Sequence, residues 1–130
     1  MIFMVRFTMN GYSWRVCYVN PHDPILVDRT GVLTVATTDP GTLSVYISNA
    51  LTGSFKTRVV IHELGHCALF SFNLINDIHR VVPKKHWIEA EEWVCNFIAD
   101  YGQAIFDAGY SVLHENTLYE VPKEIEKLIA

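Results

Sequence analysis

The chain has 130 residues, half of them hydrophobic and 12% aromatic, while only 18% are charged. This length fits a single domain, predicted to span residues 1–130, and the composition excludes a disordered chain. A net charge of −4 without a Lys/Arg cluster argues against direct nucleic-acid binding, which requires concentrated positive charge. No stretch is long and apolar enough to predict a membrane span, and three cysteines without a disulfide framework favour a cytoplasmic location.

The first half of the chain predicts β-strands. Apolar and polar residues alternate over residues 3–8 and 14–19, and an Asn-Gly turn at residues 10–11 indicates that these two strands pair as a hairpin. A third strand is expected over residues 32–36. A fourth is expected over residues 43–48, where the same alternation returns.

The second half predicts helices. A first helix is expected over residues 54–72 with Ser54 as its N-cap, and residues 73–82 are expected to be a connection. A second helix is expected over residues 83–108, opened by a proline and stopped by the glycine that follows. A short terminal helix is expected to begin at Pro122. This order predicts an α+β fold, a small antiparallel-type sheet packed by two main helices.

A candidate zinc motif lies in the first predicted helix, where residues 62–66 read His-Glu-Leu-Gly-His. His62 and His66 are one helical turn apart on one face, so each imidazole can offer a nitrogen to the same ion. Glu63 flanks that face and can take a proton from a water whose pKa zinc lowers toward about 7. We therefore expect Zn²⁺ as cofactor and Glu63 as general base. Gly65, a poor helix former, indicates close approach of another backbone.

A catalytic zinc site needs a third protein ligand. The second predicted helix offers three carboxylates, those of Glu89, Glu91 and Glu92. Glu92 is preferred, because the small Cys95 that follows lets the helices approach and Asn96, one turn on, can hydrogen-bond a ligand histidine. Glu89 and Glu91 are expected to lie on a solvated acidic face.

Residues 62–66 together with residues 92–99, which read Glu-Trp-Val-Cys-Asn-Phe-Ile-Ala, resemble the ImmA/IrrE-like metallopeptidases, whose pattern is H-E-L-G-H followed by E-x-x-A-N-x-F-A. The first motif matches in full, whereas Cys95 and Ile98 depart from the second. The resemblance covers about residues 43–100, and the first forty residues fall outside it. It implies a gluzincin-type zincin fold, a cytoplasmic and often mobile-element-encoded protein, the base Glu63, and the zinc ligands His62, His66 and Glu92.

The expected function is that of a zinc endopeptidase acting on one intracellular regulator, such as a transcriptional repressor. In zincins an edge strand before the zinc helix holds the substrate, and residues 43–48 stand in that place, although an interior strand fits them equally well. Two alternatives stay open: a zinc-containing, antirepressor-like binding module without turnover, and a toxin or host-takeover protease of a mobile element. The oxyanion-stabilising residue is left open among His79, His86, Tyr46 and Tyr101.

Overall fold

The computed structural model describes residues 3–114. Its elements, in chain order, are strands β1 (Phe3–Met9), β2 (Tyr12–Val19), β3 (Ala36–Asp39) and β4 (Ser44–Ser48), then helices α1 (Gly53–Ser71), α2 (Ile75–Val81) and α3 (Trp87–Leu113). Short 3₁₀ turns occupy Pro24–Leu26 and Lys84–His86. The predicted α+β class is confirmed. Within residues 3–114, no helix combines the length and apolar character needed to cross a bilayer.

The sheet has the strand order β1-β2-β4-β3. The predicted β1–β2 hairpin is confirmed, and both turn residues adopt positive φ, 47° at Asn10 and 82° at Gly11. β2 pairs with β4 in parallel, so the sheet is mixed, whereas the expected sheet was antiparallel. β3 pairs antiparallel with β4 and forms the edge. The strand at residues 43–48 is therefore interior, because the chain reaches the edge first, at β3, and then turns back inward.

The third strand, β3, begins at Ala36, four residues later than its predicted start at residue 32. Asp28 explains the shift, because its carboxylate accepts hydrogen bonds from the backbone N–H groups of Thr30 and Val32, at 2.8 and 3.0 Å. These bonds, with an isolated bridge between Val27 and Leu33, close a compact loop before the sheet begins. The loop replaces the expected strand except for its last residue, Ala36.

The core lies between the sheet and α1. Trp14 on β2 is fully buried, and its indole Nε1 donates to Ser71 Oγ at 2.9 Å. Because Ser71 ends α1, this bond fixes the C-terminal end of the helix against the sheet. The buried residues of this core share apolar or small side chains: Trp14, Val16, Ala36, Val45, Ile47, Val59 and Cys67.

Helix α1 covers nearly the predicted residues, but Thr52, not Ser54, occupies the N-cap position. Beyond α1, the expected connection contains the short helix α2. Asn73 adopts a left-handed φ of 56°, which ends α1 and lets the chain start a new helix within two residues.

Helix α3 runs past Gly109, which was expected to stop it, and ends at Leu113. His114 takes the left-handed conformation instead, with φ 56°, and its N–H donates to the Tyr110 carbonyl at 2.7 Å. The terminal helix predicted at Pro122 lies outside the described residues.

Candidate metal centre

The close packing of α1 on α3 sets the geometry of the site. A Cβ atom added to Gly65 would lie 3.1 Å from the Sγ atom and 3.3 Å from the Cα atom of Cys95. The close backbone approach predicted from this glycine is therefore confirmed. Cys95 is itself fully buried, so its small side chain lies between the two helices at this point.

The three predicted metal ligands converge. His62 Nε2 lies 3.0 Å from Glu92 Oε2, His66 Nε2 lies 3.2 Å from Glu92 Oε1, and the two Nε2 atoms lie 3.2 Å apart. The ligand atoms of His62, His66 and Glu92 all fall within 4.8 Å of one another. This group is compatible with a bound metal ion.

These distances fit a tetrahedral ion. Ligand atoms held at about 2.0 Å from such an ion lie about 3.3 Å from one another, close to the separations seen here. The buried Nδ1 atom of His62 has no hydrogen-bond partner among the described residues, so the polar contacts of this ring are made by Nε2. The donor set of two imidazoles and one carboxylate also suits zinc.

Glu91 supports the site and does not lie on a solvated face, so that prediction is wrong. Glu91 is only 8% exposed, and its Oε1 atom lies 2.9 Å from His66 Nδ1. A carboxylate at that nitrogen favours the tautomer that leaves Nε2 free to bind a metal. Glu91 is four residues before Cys95, so helical spacing on the face that meets α1 could have identified it. Glu89 does lie on the surface, with its side chain 81% exposed.

The hydrogen bond expected from Asn96 to a ligand histidine is not formed. Asn96 Oδ1 instead accepts a hydrogen bond of 3.4 Å from Arg58 Nη2, while Arg58 Nε donates to Asp100 Oδ1 at 2.6 Å. Asp100 lies one turn beyond Asn96. These contacts tie α1 to α3 beside the ligands and leave the support of His66 to Glu91.

Arg29, which the sequence did not identify, bridges the two carboxylates. Its Nη1 donates to Glu91 Oε2 at 3.0 Å, and its Nη2 lies 3.5 Å from Glu92 Oε1. The loop closed by Asp28 presents this guanidinium, and Gly31 in that loop has a positive φ of 86°. The N-terminal half thus contributes one charged group to a centre otherwise built from α1 and α3.

The electrostatics of the site favour a positive charge between the helices. Burial lowers the pKa of His66, but hydrogen bonds with Cys95, Glu91 and Glu92 outweigh burial and raise that pKa to about 12. Hydrogen bonds from His62 and His66 hold the pKa of Glu92 well below its usual range, against the effect of burial. Burial raises the pKa of Glu91, but its bonds to His66 and Arg29 lower it overall. Both carboxylates therefore stay charged at neutral pH.

A cleft of about 570 Å³ opens onto these ligands. Glu63 lines it and is only 6% exposed. One of its oxygens, Oε2, accepts a hydrogen bond from the Thr38 hydroxyl on the edge strand β3. The carboxylate expected to act as base is therefore held at the border between α1 and β3.

The exposed edge of β3 borders the same cleft. Ser48 N donates to the Val35 carbonyl at 2.9 Å, which turns the backbone groups of Val35 toward β4. Because these groups alternate along an antiparallel strand, the N–H and carbonyl of Thr38 point away from β4. The Thr34 hydroxyl donates to the Ala36 carbonyl at 2.8 Å, so the earlier part of the edge is partly occupied.

Of the four candidates for stabilising an oxyanion, Tyr46 alone lines the cleft. His79 stacks on the Trp87 ring with centroids 3.7 Å apart, and His86 contacts the exposed Glu89. Tyr101 is 59% exposed, beyond the residues that line the cleft.

No protein-family model, curated protein or solved structure matches this chain.

Proposed function

We propose that this chain is a zinc-dependent endopeptidase of the gluzincin type, related to the ImmA/IrrE-like metallopeptidases. The observation that carries the proposal is the joint placement of His62, His66 and Glu92, at tetrahedral spacing, with the buried Glu63 in one cleft. Its three cysteines are free, which suits a reducing cytoplasm. The substrate is a protein or peptide, with an intracellular regulator such as a transcriptional repressor as the leading candidate.

In this proposal the substrate peptide lies along β3. The peptide pairs with the outward N–H and carbonyl groups of Thr38 and so adds one strand to the sheet. This pairing places the peptide across the mouth of the cleft. Such pairing holds any peptide backbone, so specificity depends on side chains that line the cleft beside β3, including Val35, Tyr46 and Phe55.

Glu63 moves the proton. Its Oε2 is held by Thr38, while its other oxygen has no hydrogen bond to residues 3–114 and is free to accept a proton from water. The same carboxyl group can then deliver the proton to the departing amine. Zinc, when bound by His62, His66 and Glu92, supplies Lewis acidity toward water and the peptide carbonyl. Glu91 and Arg29 keep His66 and Glu92 in place.

The test combines metal content with turnover. We expect about one zinc per wild-type chain by elemental analysis, and loss of that zinc in the His62→Ala and Glu92→Ala variants. Glu63→Gln should keep its zinc while cleavage of a peptide library, followed by mass spectrometry, falls by about 10²–10⁴-fold. Equal cleavage by wild type and Glu63→Gln would remove Glu63 from the mechanism. Zinc retained in the ligand variants would contradict the site itself.

A second candidate is a regulatory binding module that contains zinc but does not turn over. The hydrogen bond between Thr38 and Glu63 favours it, because that bond gives the carboxylate a structural role in tying β3 to α1. Under this alternative, the Glu63→Gln protein would still act in cells, since a glutamine oxygen can accept the same bond. Under the endopeptidase proposal it would not.

A further inference from the structure

The outer face of α3 carries a line of apolar residues that no other part of residues 3–114 covers. The members, which we call the outer stripe, follow one another at alternating steps of three and four residues: Ile98, Tyr101, Ile105, Ala108 and Val112. All five are exposed, from 40% at Ile98 to 76% at Val112 among the large ones. The face toward α1 is buried at Cys95 and Gly102, whereas farther along the same face Phe106 and Leu113 are exposed.

Aromatic rings extend the outer stripe toward the metal site. Trp93 is 65% exposed and stacks on Phe97 with ring centroids 5.5 Å apart, and Phe97 contacts Tyr101 at 5.9 Å. With these rings, the exposed surface of these mostly apolar residues is on the order of 700 Å². The largest apolar patch on an ordinary monomer covers about 300–600 Å², whereas each partner of a standard interface buries about 800 Å². The surface therefore has the size of one half of a protein interface.

We propose that two copies of this chain dimerise through the outer stripe, with their α3 helices antiparallel. The alternating steps average 3.5 residues, which is the spacing of the seam between two paired helices. The positions that flank this seam hold Phe97, Gly102, Ala104, Gly109 and Ser111, so no like charges oppose the pairing of identical helices. A two-fold axis between the two copies brings the same face of α3 together from each, so the contact is self-complementary and the assembly stops at a dimer.

Side-chain sizes select the antiparallel arrangement. When the two-fold axis crosses the helices at the level of residue 103, Ile98 of one copy lies opposite Ala108 of the other, and Tyr101 lies opposite Ile105. The small Ala108 then faces the larger Ile98 across the seam, which allows close packing there. A parallel pair would set Ala108 against itself and leave a void. This association does not depend on the metal site.

Sedimentation equilibrium of the full chain, from about 1 to about 100 μM, tests the proposal. We expect the wild type to be a dimer and Ile105→Glu to weaken dimerisation by about 100-fold or more, because a charge would be buried in the seam. Gln103→Glu is the matched control, since it adds the same charge off the stripe and should leave the dimer unchanged. Tyr101→Glu gives an independent variant, and circular dichroism checks folding.

Two results would overturn the proposal: a wild type that stays monomeric throughout this range, or a dimer that Ile105→Glu and Tyr101→Glu leave as tight as before. Cysteine cross-linking tests the orientation. An oxidised mixture of Ile98→Cys and Ala108→Cys chains should form a disulfide-linked heterodimer. Efficient cross-linking of Ala108→Cys with itself would instead indicate a parallel pair and contradict the antiparallel arrangement.

Discussion

The two halves of α3 differ in what they bury. In the first half, residues 87–100, the carboxylate of Glu91 is buried, whereas the large ring of Trp93 is exposed. In the second half, residues 101–113, Gly102 is the buried residue and the apolar side chains face outward. Residues of α3 are buried only where α1 packs against them, and α1 begins at Gly53. The position of α1, and not the local hydropathy, therefore determines which residues of α3 are buried. Acidic groups are buried in α3 only where His66 and Arg29 offset the cost of desolvation.

The largest effect expected from this comparison comes from neutralising the buried acid. Glu91→Gln should lower the zinc affinity about 10–100-fold, because a neutral amide is a weaker acceptor for His66 Nδ1 and loses its pairing with Arg29. Competition with a chromophoric zinc chelator measures the affinity. Glu89→Gln, two residues away on the exposed side, is the matched control and should leave the affinity unchanged. Similar affinities for both variants would mean that Glu91 does not support His66.

The grouping of His62, His66 and Glu92 could be predicted from the sequence because it depends largely on helical spacing. His62 and His66 follow from one turn of helix, and Glu92 follows from the residues around it. Glu91 was missed because the small Cys95 was used to orient the neighbouring residue, although Glu91 shares its face. Arg29 could not be predicted, since it reaches Glu91 across 62 positions of chain and from a loop whose shape only the structure gives.

A second prediction concerns the pH dependence of the metal-free protein. The pKa of His66 is raised to about 12, above its value of about 6.5 in an unfolded chain, so the folded state holds an extra proton between these values. That stabilisation is fully present below about pH 6.5 and is lost as the pH rises toward about 12. The free energy of unfolding should therefore fall by up to about 1.4 kcal/mol for each pH unit above neutrality. Urea unfolding with chelator present measures it.

Zinc binding should show the opposite trend with pH. The ion must displace the proton held by His66, so the apparent zinc affinity should rise by up to about tenfold per pH unit above neutrality. The Glu89→Gln variant should follow the wild type in both measurements. A stability and an affinity that are both independent of pH between about 7 and about 9 would contradict the raised pKa of His66.

The fold was predictable where local chemistry determines it. The Asn-Gly turn and the alternation that follows gave the β1–β2 hairpin correctly. The parallel pairing of β2 with β4 was not predictable, because it depends on where the 16-residue connection over residues 20–35 returns to the sheet, at the edge strand β3. Asp28 displaced the third strand through backbone hydrogen bonds that compete with sheet formation. Gly109 did not stop α3, since a glycine permits a left-handed turn without requiring one.

The smallest expected effects come from substituting two glycines that lie in helices. The two substitutions should change the free energy of unfolding in opposite directions. Gly65→Ala gains about 1 kcal/mol in helix propensity, but its methyl group would press on Cys95 at 3.1 Å from Sγ and 3.3 Å from Cα. A helix backbone yields less readily than a side-chain end, so we expect a net destabilisation of about 1–2 kcal/mol. Thermal unfolding at one protein concentration measures it, and adding Cys95→Ala should restore part of the loss.

Gly109→Ala, in the uncovered half of α3, should stabilise the protein by about 0.5–1 kcal/mol. A Cβ atom there meets no atom within 4 Å, and the residue already has helical φ, so the gain in propensity is not opposed. The contrast is informative because both glycines lie in helices, and only Gly65 faces a neighbouring backbone. Stabilisation by both substitutions would mean that Cys95 yields by a few tenths of an ångström to the added methyl group, so that the contact between α1 and α3 at Gly65 is not rigid.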